Sequence, residues 1–113
     1  MSAAEYNIII DQGADFTLPL VIKDNGVPRD LTGYLGRAEL RDGLKASSAI
    51  IATFVVTIAV PSSGGIVMTL ANATSSAMTA QLGYYDLEIY TAGDADVDRL
   101  LYGTGLVRQE TTR

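Results

Sequence analysis

A chain of 113 residues with a net charge of −5 and 48% hydrophobic content is long enough for one core and too apolar to remain disordered. It contains no cysteine and no histidine, which excludes disulfides, thiol chemistry and imidazole, the side chain most used as general base and metal ligand. The acidic balance argues against electrostatic binding to nucleic acid or to an anionic membrane, so neither is expected as a partner.

The first five residues, Met1–Glu5, lack the basic and apolar regions of a signal peptide, and a soluble start is expected. No apolar run nears the roughly 18 residues that span a bilayer. Tyr6–Ile10 has the β-branched content of a strand, and Asp11–Asp15 reads as a polar break. Beyond it Phe16, Leu18, Leu20 and Ile22 alternate with Thr17, Pro19, Val21 and Lys23, the period of a half-buried strand. Pro19 lacks an amide hydrogen, which favours an edge strand or a bulge. Asn25-Gly26 is the strongest turn signal, because both residues tolerate the positive φ of a type I′ hairpin.

Leu35–Arg41 sets Ala38 and Leu40 against Arg37, Glu39 and Arg41, a strand with one solvated side. Ile50–Ala59 is apolar in both phases, so cover on both faces is expected, from a second sheet or from a partner. After the Pro61–Gly65 turn, Gly65–Ala71 predicts a short strand. Residues 73–82 form the only helical stretch, with Asn72 or Thr74 as cap and Gly83 as stop. Tyr84–Thr91 alternates cleanly, and its tyrosine pair resembles the start of a tyrosine corner. Val97–Arg108 supplies the last strand, where Gly103 and Gly105 suggest a bulge or a close backbone approach.

About seven short antiparallel strands at 8–12-residue spacing, with one short helix near residues 73–82, predict an all-β, Ig-like sandwich. A single domain over 1–113 is expected, with polar tails at 1–5 and 109–113. Asp94, Asp96 and Asp98 have the first ligand spacings of a calcium loop. Arg99 and Gly105 stand where that loop needs glycine and a carboxylate, so a solvated hairpin tip is the simpler reading. Asp11 and Asp15 suit turn hydrogen bonding better than acid–base work. No catalytic residue, metal site or cofactor is assigned. The tyrosines suit core packing, protein interfaces or sugar platforms.

The run Asn7–Phe16, then Asp30-Leu31-Thr32-Gly33-Tyr34, then Gly36–Arg41, Leu82–Glu88 and Arg99–Gly103 follow one another in an order that resembles a small phage structural domain. It is similar to the Ig-like N-terminal domain of phage baseplate upper proteins and to stand-alone tail proteins of the same build. Gly105-Leu106 departs from the β-branched residues usual there. Larger relatives carry further regions that hold receptor-binding parts, so that role is not expected to transfer to this one domain.

The resemblance implies a non-enzymatic virion protein of the tail or baseplate, made in the host cytoplasm and present in several copies. Its expected partners are other phage structural proteins, docked through strand edges and apolar faces. Tyr6, Ile8, Ile10, Tyr84 and Tyr90 are the candidate interface residues. A capsid decoration or head–tail neck protein is the neighbouring alternative, and a carbohydrate-binding adhesion module the alternative of another class.

Overall fold

The computed structural model describes residues 3–109. Its strands are β1 (Ala4–Glu5), β2 (Ile8–Asp11), β3 (Phe16–Val21), β4 (Lys23–Asp24), β5 (Val27–Pro28), β6 (Leu35–Arg41) and β7 (Ile50–Val60). They continue with β8 (Gly65–Leu70), β9 (Gln81–Tyr90) and β10 (Val97–Arg108), and one helical turn, α1 (Asn72–Ser76), links β8 to β9. β4 and β5 form a separate hairpin closed by Asn25-Gly26, both at positive φ as a type I′ turn requires.

The remaining strands follow one path, β1/β2–β10–β9–β6–β7–β8–β3. The sheet curls because β7 serves two partners. Its first half pairs with β6 up to Phe54, and its second half pairs with β8 from Val55 onward. The result is two layers, a front sheet of β1/β2, β10, β9 and β6 and a back sheet of β3, β8 and the distal half of β7. Back-sheet order β3–β8–β7 matches strands B–E–D of an immunoglobulin sandwich, and β6–β9–β10 matches C–F–G. The fold is an all-β, Ig-like sandwich.

Between the layers lie Ile8, Ile10, Leu40, Phe54, Met68, Leu70, Tyr85, Leu87 and Val107, all buried. Phe54 sits where β7 changes sheets. Its ring meets Phe16 of the back sheet at 5.8 Å and Tyr85 of the front sheet at 6.2 Å, in the tilted geometries aromatic pairs favour. A second cluster, Ile22, Leu31, Ile66, Ile89 and Leu100, fills the end beneath the 29–34 connection.

Four expectations change. The strands are not all antiparallel, since β1 and β2 run parallel to β10, joining the first and last segments of the chain. That pairing also draws Ala4–Glu5 out of the expected polar tail; of the other tail only Gln109, which is exposed, lies within the described residues. The helix stops at Ser76, because Gln81 and Leu82 pair with Val107 and Leu106 of β10, and Gly83 lies mid-strand rather than ending a helix. Its N-cap is Ala71, without a side-chain bond. The outer face of β7, at Thr53, Val55 and Thr57, is exposed and not covered by this chain.

Tyr85 forms no tyrosine corner. Its hydroxyl, with the side chain only 4% exposed, donates a 2.5 Å hydrogen bond to the Tyr6 carbonyl and so ties β9 to the N-terminal segment. Gly103 allows that segment to approach, since a Cβ there would overlap the Tyr6 carbonyl oxygen. The only irregularity in the β9–β10 ladder falls between Arg99 and Leu101, away from both glycines.

Candidate functional site

Along β9 the odd-numbered residues 83–89 are buried, so Leu82, Tyr84, Asp86, Glu88 and Tyr90 face outward. Pairing with β10 and β6 arranges these into cross-strand rows. Asp86 stands between Glu39 and Tyr102, Tyr84 between Arg41 and Thr104, and Glu88 between Arg37 and Arg99. The 42–49 loop overhangs these rows, and its Leu44 is 85% exposed. Together they enclose an open groove of about 600 Å³ lined by Glu39, Arg41, Leu44, Tyr84, Asp86 and Tyr102.

Most charges in and beside the groove are matched. Arg37 bonds Glu88 at 2.5 Å and Asp94 at 3.2 Å and lies over the Tyr90 ring at 4.3 Å. Arg41 bonds Glu39 at 2.8 Å and the Ser48 carbonyl at 2.7 Å, pinning the loop to the sheet. Arg99 covers the Tyr102 ring at 4.9 Å. Burial pushes the Asp86 carboxyl above the usual carboxylate range, reinforced by Glu88 and opposed by Arg99 and Arg41. At the end of this face near β2, Ile9, Leu106 and Leu82 form a row across β2, β10 and β9 and are 51%, 39% and 50% exposed. The Asp11–Arg108 ion pair at 2.7 Å borders it, with Arg108 holding the Asp11 carboxyl below its ordinary range.

The candidate interface residues divide. Ile8 and Ile10 are core residues, 5% and 0% exposed, and cannot touch a partner. The sheet period of two gives that role to Ile9 between them. Tyr6 is exposed, whereas Tyr84 and Tyr90 are half-buried on the outer face of β9. Leu82 and Leu106, which the sequence did not suggest as interface residues, complete the row with Ile9. Their signal lay in the pairing register and not in their own segments.

The side chains of Asp11 and Asp15 bond distant segments and not, as expected, their own turn. Asp11 pairs with Arg108, and Asp15 accepts the Asn72 amide at 2.8 Å. Of the calcium-like triplet, Asp94 bonds Arg37, Asp98 bonds Arg29 at 2.7 Å, and the Asp96 amide donates to the Thr91 hydroxyl. Among the described residues no group of three or more carboxylates is placed to hold a metal ion.

The sequence matches no protein-family model, and no curated protein matches it. Solved structures give weak likenesses. One is the extracellular domain of the voltage-gated sodium channel beta4 subunit, described as parallel homodimers with a role in cell-cell adhesion. It is 11% identical over 98% of this chain and 97% of that one, at a TM-score of 0.46. Another is a family 123 glycoside hydrolase from Clostridium perfringens, 9% identical over all of this chain and 24% of that one, at a TM-score of 0.43. Both scores are too low to carry an argument about function.

Proposed function

We propose that this chain is a non-enzymatic bacteriophage virion protein, a tail or baseplate component that docks a neighbouring structural protein through the outer face of its front sheet. The sequence resemblance supports the virion assignment. The observation that carries the docking role is the exposed Ile9–Leu106–Leu82 row beside the sheet edge, an apolar centre with a charged and polar rim. Interfaces are built that way, with apolar anchors inside and polar groups around them. Cation–π contacts make a sugar platform the weaker reading, because Arg37 and Arg99 occupy ring faces of Tyr90 and Tyr102 on which a sugar would stack.

Mass spectrometry of purified virions tests the assignment. The chain is expected among the stoichiometric structural proteins, and its absence from intact particles would sink the proposal. Cryo-EM of the same particles separates a tail or baseplate position from a capsid or neck position. Among the described residues no helix is long and apolar enough to cross a membrane.

A further inference from the structure

The outer face of the back sheet carries no charge. Its three cross-strand rows are Thr17–Thr69–Val55, Pro19–Val67–Thr57 and Val21–Gly65–Val60. Val21, Val55 and Val60 are 60%, 62% and 49% exposed, and Thr17, Pro19 and Thr57 are exposed with them. The solvated face of an antiparallel sheet is normally polar and its edges are protected by charged side chains, and this face has no charge. Pro19 in the middle of β3 blunts strand addition at that edge, since it offers no amide hydrogen. Apart from the opposite edge along the distal half of β7, what remains available for contact is the flat face.

Charge selects the occupant. The outward positions of the segment through β3 read Asp15, Thr17, Pro19, Val21 and Lys23, with an acid at one end, a base at the other and only neutral residues between. Both end residues are exposed. Opposite charge is one source of specificity for a foreign partner, and this face offers charge only at its two ends. A second copy turned end for end brings its Lys23 to Asp15 and its Asp15 to Lys23. That is the reciprocal pairing of a twofold, isologous contact.

We infer that two copies of this chain pack back to back through the β3–β8–β7 face, about a twofold axis lying along the row Pro19–Val67–Thr57. This axis stacks each strand antiparallel on its own counterpart. It sets Thr69 over Gly65 of the second copy and Val55 over its Val60, side-chain bulk against a gap and apolar against apolar. Three strands about 4.8 Å apart and nine residues at about 3.4 Å give roughly 400 Å² per copy. The total, roughly 800 Å², falls below the approximately 1,200 Å² at which stable interfaces begin. The contact is therefore weak between isolated chains and gains strength where neighbours already hold many copies together. It does not depend on the virion assignment, because it uses a different face and is read on purified protein.

Sedimentation equilibrium from micromolar concentration to about 1 mM tests it. The average mass is expected to climb towards a dimer, with no larger species. Thr57→Lys, on the axis, is expected to weaken association at least roughly tenfold, because two lysines then meet in a dry contact. Lys23→Asp breaks both rim pairs and is expected to cost up to roughly tenfold. Adding Asp15→Lys to Lys23→Asp exchanges the charges and is expected to restore dimerisation to within roughly threefold of the unmodified chain. Asp15 also holds the Asn72 amide, so circular dichroism and a thermal melt must first show each variant folded. A mass that stays monomeric to 1 mM overturns the inference. So does association indifferent to Thr57→Lys, and so does a charge exchange that fails to restore what Lys23→Asp removes.

Discussion

On the outer face of β6, β9 and β10, Arg37, Glu39, Arg41, Asp86, Glu88 and Arg99 interleave across three strands and largely satisfy one another. The outer face of β3, β8 and β7 has valine, threonine, proline and glycine in the corresponding positions. Inward the two sheets are alike: Leu40, Leu87 and Val107 from one pack against Leu18, Met68 and Leu70 from the other. Folding therefore does not require the difference, since the buried apolar faces supply most of the driving force in both sheets. The outer faces are free to encode something else, and under the proposed docking and self-association that is the choice of neighbour. A patterned charged face selects by complementarity, and a neutral face tolerates an identical copy.

Separating the two sheets should produce the largest effect. Phe54 touches an aromatic ring from each layer, so Phe54→Ala removes the contact that couples them. The expected loss is about 3–5 kcal/mol, a large part of the roughly 5–15 kcal/mol that holds such a domain folded. Urea denaturation reads it directly. A loss under about 2 kcal/mol would mean that the layers cohere by other contacts and that the central aromatic chain is incidental.

A smaller effect is expected at Tyr85, which fastens the front sheet to the N-terminal segment. Tyr85→Phe deletes the buried hydrogen bond to the Tyr6 carbonyl at an expected cost of about 1–3 kcal/mol, because that oxygen is left without the donor. The same hydroxyl gives an alkaline signature. Burial pushes its pKa up to about 12, from 10.0 when exposed. Between these values the unfolded chain releases the proton while the folded chain keeps it, so stability falls as pH rises from about 10 to about 12. Denaturation curves across that window should lose this slope in Tyr85→Phe. An unchanged slope would assign it to other groups.

The strands and their pairing also show what was legible in the sequence and what was not. Alternation placed β6 at its observed bounds, the last strand was expected over Val97–Arg108, where β10 lies, and Asn25-Gly26 announced its hairpin. Three consecutive isoleucines gave no phase, since any of Ile8, Ile9 and Ile10 suits a core, and only the parallel pairing with β10 decides that Ile9 faces out. That pairing joins residues almost a chain length apart, which no local pattern reports. Residues 77–82 have reasonable helix propensity, but the ladder to β10 takes Gln81 and Leu82. Val55 and Thr57 suggested a covered strand because β-branched residues suit buried and exposed sheet positions alike. The uncharged face was invisible for the same reason as the apolar row. Its members come from three separated segments and become neighbours only once strand order is known.

Within the charged face, Asp86 and Arg37 should respond in opposite ways. Burial raises the Asp86 pKa, so the ionised carboxylate opposes folding at neutral pH, and Asp86→Asn should raise the melting temperature there. The sign follows from linkage: the folded chain holds this proton more tightly, so the penalty disappears as pH falls through the folded pKa, and the gain from the variant should shrink with it. A lower melting temperature in Asp86→Asn would make Asp86 a stabilising member of its row. Arg37→Ala should destabilise modestly in low salt and hardly at all in high salt, because its ion pairs are largely solvent-exposed. Thermal melts at both salt levels decide this. A loss that survives high salt would assign the role of Arg37 to its packing on Tyr90.

The smallest expected change in stability belongs to Thr57→Lys on the neutral face. Thr57 is exposed, lies opposite Val67 in the middle cross-strand row of the back sheet, and faces solvent in the single chain. Lysine there gives up some β-propensity, leaves no cavity, strands no buried polar group and relieves one unit of the net negative charge. The monomer should keep its stability to within about 0.5 kcal/mol, as exposed substitutions away from special features generally do. Urea denaturation at a concentration where the chain is monomeric measures this apart from association. A loss above about 1 kcal/mol would show the face already packed within the chain, and the contrast between the two faces would then be one of burial and not of partner choice. Unchanged monomer stability combined with lost self-association would instead make the missing charge a property of the contact, since nothing in the folding of one copy needs that face neutral.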